Sequence, residues 1–306
     1  MSSQSAGVAW RVHVGLLFVQ LTFGAFHVVA KAVLAYLHPL ALAGLRVLVA
    51  TPLLLLLAWQ HDRILPGRRD LPWLALLGLL GVFANQLLFI LGLRLTTATS
   101  AALLMPSIPV FAAAVAIIGR IERASAGRAL GIALSVLGAL VMLDPRSFRM
   151  ADRALAGDLL VLANCMSYAT FLVVMRPVLR RLPVATVIAW SFLFGGAGVT
   201  AVSWPHLIDL NLAAAPLAVW AGVAYVVLVP TTLNYLINAW AVARSTPSLV
   251  AAYTTLQPLS AGLLAALFLA ERPGWPQLAG GLLIAAGLWR VSAATPGKRV
   301  KAPARA

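Results

Sequence analysis

Apolar residues run along this chain in long stretches, and polar residues collect in the short breaks between them. Ten stretches can be drawn, at 14–36, 39–60, 71–94, 98–119, 126–143, 157–175, 184–203, 216–240, 247–270 and 276–293. Each is close to the roughly 20 residues that carry an α-helix across a bilayer. Inside hydrocarbon every backbone N–H and C=O must be paired within the protein, which leaves helices and closed barrels. Barrel strands alternate apolar and polar residues over about ten positions. The run from Leu74 to Leu91 instead has only Asn85 and Gln86 as polar interruptions. The pattern predicts an all-α membrane protein of ten transmembrane helices. The breaks carry Pro, Gly and charge, as in Leu65-Pro66-Gly67-Arg68-Arg69-Asp70, Asp144-Pro145-Arg146 and Arg180-Arg181-Leu182-Pro183. Arg11 precedes the first stretch, 14–36. That stretch is longer than the roughly 7–15 residues of a signal-peptide core, so it reads as a retained helix.

Composition agrees. Of 306 residues, 62% are hydrophobic and 10% charged, against roughly 25% charged in a soluble domain. The net charge of +15 would suggest nucleic acid in a soluble protein. Here the cations sit between apolar runs, where they set topology and meet anionic headgroups, and no nucleic-acid partner is expected. A cytoplasmic N-terminus puts sixteen Lys and Arg residues inside, including Arg63, Arg68, Arg69, Arg180, Arg181 and Arg244. It puts six outside, Lys31, Arg94, Arg146, Arg149, Arg153 and Arg272, and leaves Arg46 within a span. This asymmetry predicts a multi-pass protein of a bacterial inner membrane with both termini cytoplasmic; the cluster at 146–153 is the misfit. Trp10, Trp59, Trp73, Trp204, Trp275 and Trp289 fall near span ends, as interfacial anchors do. The one cysteine, Cys165, has neither a disulfide partner nor metal-ligand spacing, and neither a metal nor a cofactor is expected.

The chain also resembles itself. At a shift of 149, Asn85 meets Asn234, Thr97 meets Thr246, Pro109 meets Pro258, Glu122-Arg123 meets Glu271-Arg272, and Gly131 and Gly138 meet Gly280 and Gly287. At a shift of 145, Phe26 meets Phe171, Val28-Val29 meets Val173-Val174 and Lys31 meets Arg176. The expected organisation is a cytoplasmic N-terminus 1–13, a first repeat 14–143, a connecting loop 144–156, a second repeat 157–293 and a basic cytoplasmic tail 294–306. An odd number of helices per repeat inserts the second upside down. Two inverted five-helix repeats are a common way for secondary transporters to obtain two states of similar energy, with the site near the midplane.

Phe23-Gly24-Ala25-Phe26 leading to Lys31, then Pro39 and Leu45-Arg46, resembles the opening of the EamA family in the drug/metabolite transporter superfamily. Gln257 to Glu271 resembles that family's signature at the ninth helix, and Pro109 through Glu122 is a fainter copy. The resemblance covers nearly the whole chain. It implies a ten-helix fold with both ends cytoplasmic that exports or exchanges small metabolites, often amino acids. The family's usual first-helix Trp is Phe23 here, with Tyr168 as its counterpart in the second half. Small multidrug exporters of the superfamily rely on a carboxylate in the first helix, which this sequence lacks.

Polar groups within spans are costly and face the bundle interior, so they are the candidate substrate-binding residues: Asn85, Gln86, Asn164, Tyr168, Trp190, Asn234, Asn238, Gln257, His27 and Arg46. Asn234 and Asn238 share a helical face, and amides donate and accept, which suits a zwitterion or polar metabolite; each can equally be interhelical glue. Arg46 could bind a substrate carboxylate or snorkel outward. His27 could serve proton coupling or packing. Pro109, Pro230 and Pro258 remove backbone donors within spans and are candidate hinges. Glu122 and Glu271 sit at helix ends, where loop fixing is the simpler role.

A secondary exporter of an amino acid or related metabolite is the leading expectation. A drug or lipid-like substrate, or a non-transporting scaffold, stays open, as does a monomer or homodimer. An enzyme is not expected, since no mid-span carboxylate pair or histidine cluster exists. Without a GxxxxGK[ST] loop, transport would run on a gradient or by exchange.

Overall fold

A computed structural model describes residues 3–119, 126–142, 153–210, 215–245, 247–257 and 274–293, with 261, 264, 267 and 268. Among these residues the chain is entirely helical, without strands. The elements are α1 (Ser3–Val33), α2 (Pro39–His61), α3 (Leu71–Gly78), α4 (Asn85–Leu95), α5 (Ala98–Leu104), α6 (Ser107–Ile118), α7 (Ala126–Met142), α8 (Arg153–Val178), α9 (Val184–Ile208), α10 (Leu217–Val226), α11 (Asn234–Arg244), α12 (Pro247–Tyr253) and α13 (Trp275–Ala293). A π-helical segment, Leu79–Ala84, joins α3 to α4, and another, Val227–Leu233, joins α10 to α11.

Among the described residues, seven helical stretches are long and apolar enough to cross a bilayer: Trp10–Val33, Pro39–His61, Leu71–Leu95, Ser100–Ile118, Arg153–Val178, Val184–Ile208 and Leu217–Arg244. The protein is thus a multi-pass membrane protein. Of the other three predicted stretches, 126–143 and 276–293 are helical as α7 and α13, with an apolar segment Leu278–Gly287 in α13. The stretch 247–270 begins as α12 and lies largely outside the described residues, as do Glu122, Glu271 and Pro258.

Outward faces are apolar, as lipid requires: Leu17, Leu21, Leu48, Leu56, Leu228 and Leu282 are exposed. All six tryptophans near span ends are exposed too, from 45% for Trp73 to 77% for Trp275, which fits rings placed at headgroup level. Close packing relies on small residues. A Cβ on Gly78 of α3 would meet the Ser191 carbonyl of α9 at 2.6 Å, and one on Gly92 of α4 would meet the Gly157 carbonyl of α8 at 2.9 Å.

Polar contacts gather at two ends. At one, the Lys31 ammonium donates to the carbonyls of Leu93 and Thr96. In return the Arg94 guanidinium donates to the Leu34 carbonyl at 2.7 Å. These cations satisfy carbonyls that helix C-termini leave open. Thr96 donates to Asp158 at 2.5 Å, and the His38 and His206 rings stack with centroids 3.7 Å apart. At the other end, Asp62 accepts from the backbone N–H and hydroxyl of Thr186, each at 2.9 Å. There Asp70 pairs with Arg181 at 3.1 Å.

Candidate substrate cavity

Between these ends lies a cavity of about 480 Å³, counting the part open to solvent, within the range of small-molecule sites. Helix α1 supplies Phe23, Phe26 and His27; α2 supplies Arg46; α4 supplies Asn85 and Phe89; the α5–α6 break supplies Met105 and Ile108; α8 supplies Asn164 and Tyr168; α11 supplies Tyr235; and Gln257 completes the lining. Six of the ten predicted residues are therefore brought together: His27, Arg46, Asn85, Asn164, Tyr168 and Gln257.

Among the described residues Arg46 is the only charged residue of the lining, and it is 3% exposed. Its Nε donates to Thr231 Oγ1 at 2.8 Å, and its guanidinium carbon lies 4.8 Å from the Phe26 ring centre. Thr231 is aimed by the residue before it. Pro230 lacks the N–H that an α-helix would offer the Val226 carbonyl, and the Thr231 hydroxyl donates to that oxygen at 2.6 Å. Thr232 does the same for Val227 at 2.9 Å. The proline, the hydroxyl and the guanidinium form one chain of causes.

His27 is 1% exposed, and its Nδ1 lies 2.6 Å from the Phe23 carbonyl. A carbonyl only accepts, so Nδ1 carries a proton, and with the ring neutral Nε2 keeps a lone pair. That Nε2 is buried without a partner. The ring sits edge-on to Phe89, with centroids 5.3 Å apart.

Other polar groups tie the walls together. Asn164 donates to the Asn85 carbonyl at 2.7 Å and Ser167 to that of Leu80 at 2.7 Å. Gln257 donates to Gln20 Oε1 at 2.6 Å. The Tyr235 hydroxyl lies 2.6 Å from the Gly81 carbonyl and 2.9 Å from Asn85 Oδ1.

Four predicted residues do not line the cavity. Asn238 stands behind the wall and donates to the Tyr168 hydroxyl at 2.8 Å. Asn234 turns to α1 and donates to Thr22 Oγ1 at 3.0 Å. Gln86 is wholly buried with both amide atoms unpaired. Trp190 is half-buried against Phe194, ring centres 6.1 Å apart. Of the proline hinges, Pro230 sits inside the second π segment. The interruption near Pro109 falls at Met105 and Pro106 instead, and Pro109 lies in the first turn of α6, where its missing N–H would have had no helical partner anyway. The sequence reading missed Phe23, Phe26, Phe89, Met105, Ile108 and Tyr235 as lining; Tyr235 alone carried a signal, as a polar group within a span.

The sequence pattern of the EamA-like transporter family matches residues 10–144 and again 155–293. The chain belongs to the EamA-like transporter family. An "Uncharacterized transporter" of Archaeoglobus fulgidus is 25% identical over 286 residues, covering 92% of this chain and 98% of that one. A "Probable terminal-alkyne amino-acid exporter" of Streptantibioticus cattleyicolor is 30% identical over 240 residues, covering 78% of each. "Protein WALLS ARE THIN 1" of Arabidopsis thaliana is 26% identical, covering 92% of this chain and 82% of the relative. A solved crystal structure superposes with a TM-score of 0.63 at 16% identity, over 90% of this chain and 96% of that one, a likeness of fold alone. As an EamA-like protein the chain is a membrane transporter, and these family and relative names point away from an enzyme.

Proposed function

We propose that this protein is a secondary transporter that exports a small metabolite, an amino acid or related compound, by alternating access around the cavity. The observation that carries the reading is the cavity itself: Arg46, His27, Asn85, Asn164 and Tyr168 converge within membrane-crossing helices from both halves of the chain. Polar groups in spans are expensive, and those collected around one hollow mark a substrate path.

Two inverted five-helix repeats supply the mechanism. Shifted by 149 residues, the π segment Leu79–Ala84 falls on 228–233, inside the second π segment Val227–Leu233. At a shift of 145, Val19 and Thr22 of α1 correspond to Asn164 and Ser167 of α8. The first pair receives Asn234, and the second pair reaches the backbone at Asn85 and Leu80. Each half's leading helix thus bonds the other half's interrupted helix, as a pseudo-two-fold arrangement requires. On this reading the end holding Asp62, Asp70 and Arg181 is cytoplasmic, with both termini, in a bacterial inner membrane. The end holding Lys31, His38 and Arg94 faces out.

Purified protein in proteoliposomes should move a labelled metabolite from a panel of amino acids, drugs and related compounds, and an absence of flux across the whole panel refutes transport. Cysteine-accessibility mapping should place positions 122 and 271 on opposite membrane faces; finding them on one face refutes the inverted repeat.

A further inference from the structure

The cavity has a charge and a hydrogen-bonding signature that narrows its ligand, and the narrowing rests on the cavity being the substrate site proposed above. Arg46 contributes a permanent positive charge, and among the described residues no carboxylate lines the cavity: Asp62, Asp70, Asp158 and Asp209 all lie elsewhere. Its bonded partner is a neutral hydroxyl and its other neighbour an aromatic face. A buried cation without a counter-ion is costly, and a ligand that brings one removes the cost.

His27 adds a second feature. Its Nε2 is the one lining side-chain atom, among the described residues shut off from solvent, that has no hydrogen-bond partner. As a lone-pair acceptor it takes one O–H or N–H. The two groups flank the same ring: the guanidinium lies 4.8 Å from the Phe26 centre and the imidazole 6.2 Å. Both also line the same cavity, so a ligand there is offered both groups. The rest of its surface would meet Phe23, Phe26 and Phe89.

We infer that the ligand is a net anion, a carboxylate with a neutral hydroxyl or amide donor and an apolar body, preferred over the matching zwitterionic amino acid. The carboxylate sits on Arg46, the neutral donor on His27 Nε2 and the body among the phenylalanines. An ammonium presents three donors where His27 Nε2 offers one lone pair, and it restores the net positive charge that the carboxylate had cancelled. A hydroxyl presents one donor and no charge.

Isothermal titration of the purified full-length protein with phenyllactate, phenylalanine, phenylpropionamide and phenethylamine tests this without any mutation. Phenyllactate should bind, phenylalanine about tenfold or more weaker, and the neutral amide and the amine weaker still. Arg46→Gln should weaken phenyllactate about ten- to hundredfold, whereas Arg46→Lys should retain part of the affinity. His27→Phe should bring phenyllactate down to the level of phenylpropionate, which lacks the hydroxyl. Equal or tighter binding of phenylalanine or phenethylamine overturns the inference, as does no binding by any probe or full affinity in Arg46→Gln. Should Arg46→Gln fail to fold, the ranking of ligands on the unmodified protein decides alone. The two readings fail separately. Phenyllactate bound but never moved in liposomes counts against transport and leaves the ligand class standing, while flux of a cation without carboxylate binding does the reverse.

Discussion

The Tyr235 hydroxyl lies 2.9 Å from the Asn85 side-chain oxygen and 2.6 Å from the Gly81 carbonyl, so one phenol joins the two helices that π segments interrupt. Tyr235 and Gly81 are both buried, and removing the hydroxyl leaves acceptors that water does not reach. Tyr235→Phe should lower stability by about 1–3 kcal/mol, read as an earlier thermal unfolding midpoint in detergent. Asn85→Ala should cost less in the Tyr235→Phe background than alone, because the two share a bond; equal costs in both backgrounds would mean the pair is not coupled.

Gln86 presents the opposite case. Its amide is fully buried and neither end is bonded, an arrangement that carries a desolvation penalty with no return. Gln86→Leu, close in size and apolar, should raise the unfolding midpoint, by about 1–2 kcal/mol in stability. A lower midpoint would show that the amide has a partner in the working protein.

Gly78 tests the close approach of α3 to α9. A methyl group there would lie 2.6 Å from the Ser191 carbonyl and 2.7 Å from the Gly195 nitrogen, and backbone cannot step aside cheaply. Gly78→Ala should destabilise by about 1–3 kcal/mol. The control is Gly67→Ala, whose methyl would find nothing nearer than Asp70 at 3.8 Å; it should stay within about 0.5 kcal/mol. Similar unfolding midpoints for the two variants would contradict the packing described.

The His38–His206 pair predicts a pH dependence. Desolvation, then His206 and Arg94, hold the His38 imidazole below the usual histidine range. Its Nδ1 also accepts from the Leu40 N–H at 3.3 Å, which only the neutral ring can do. The folded state therefore binds its proton less readily than the unfolded chain. Stability attributable to this group is full above the ordinary histidine value of about 6.5 and declines as pH falls below it. Unfolding midpoints should drop across that window, and His38→Gln should flatten the drop. A profile unchanged by His38→Gln would remove His38 as its source.

About half of the cavity lining could be read from the sequence because polarity within an apolar run is conspicuous. His27, Arg46, Asn85, Asn164, Tyr168 and Gln257 stand out from Leu and Val neighbours, and the fold draws them together. Phe23, Phe26, Phe89, Met105 and Ile108 were illegible for the converse reason: an apolar side chain looks the same whether it meets lipid or a cavity. Gln86, Asn234 and Asn238 were legible as buried, while the choice between lining and interhelical bonding was not legible. Each follows a π segment, and one extra residue in a turn rotates everything after it by about 100°. A face projected from the ideal period then points at a neighbouring helix. Seven membrane-length helices followed from length and hydrophobicity among the described residues. The break at Met105–Pro106 did not, because Pro106 and Pro109 are alike in sequence and differ only in which one falls where a donor is needed.

Several carbonyls in and beside the two π segments are in the custody of side chains. Gly81 and Leu80 are held by Tyr235 and Ser167 from other helices, and Val226 and Val227 by the local threonines. A regular helix can bend only by breaking ladder bonds in a medium that offers no replacement. The hydroxyls supply bonds that do not depend on helical register, so these carbonyls would keep a partner in oil if the backbone swivelled.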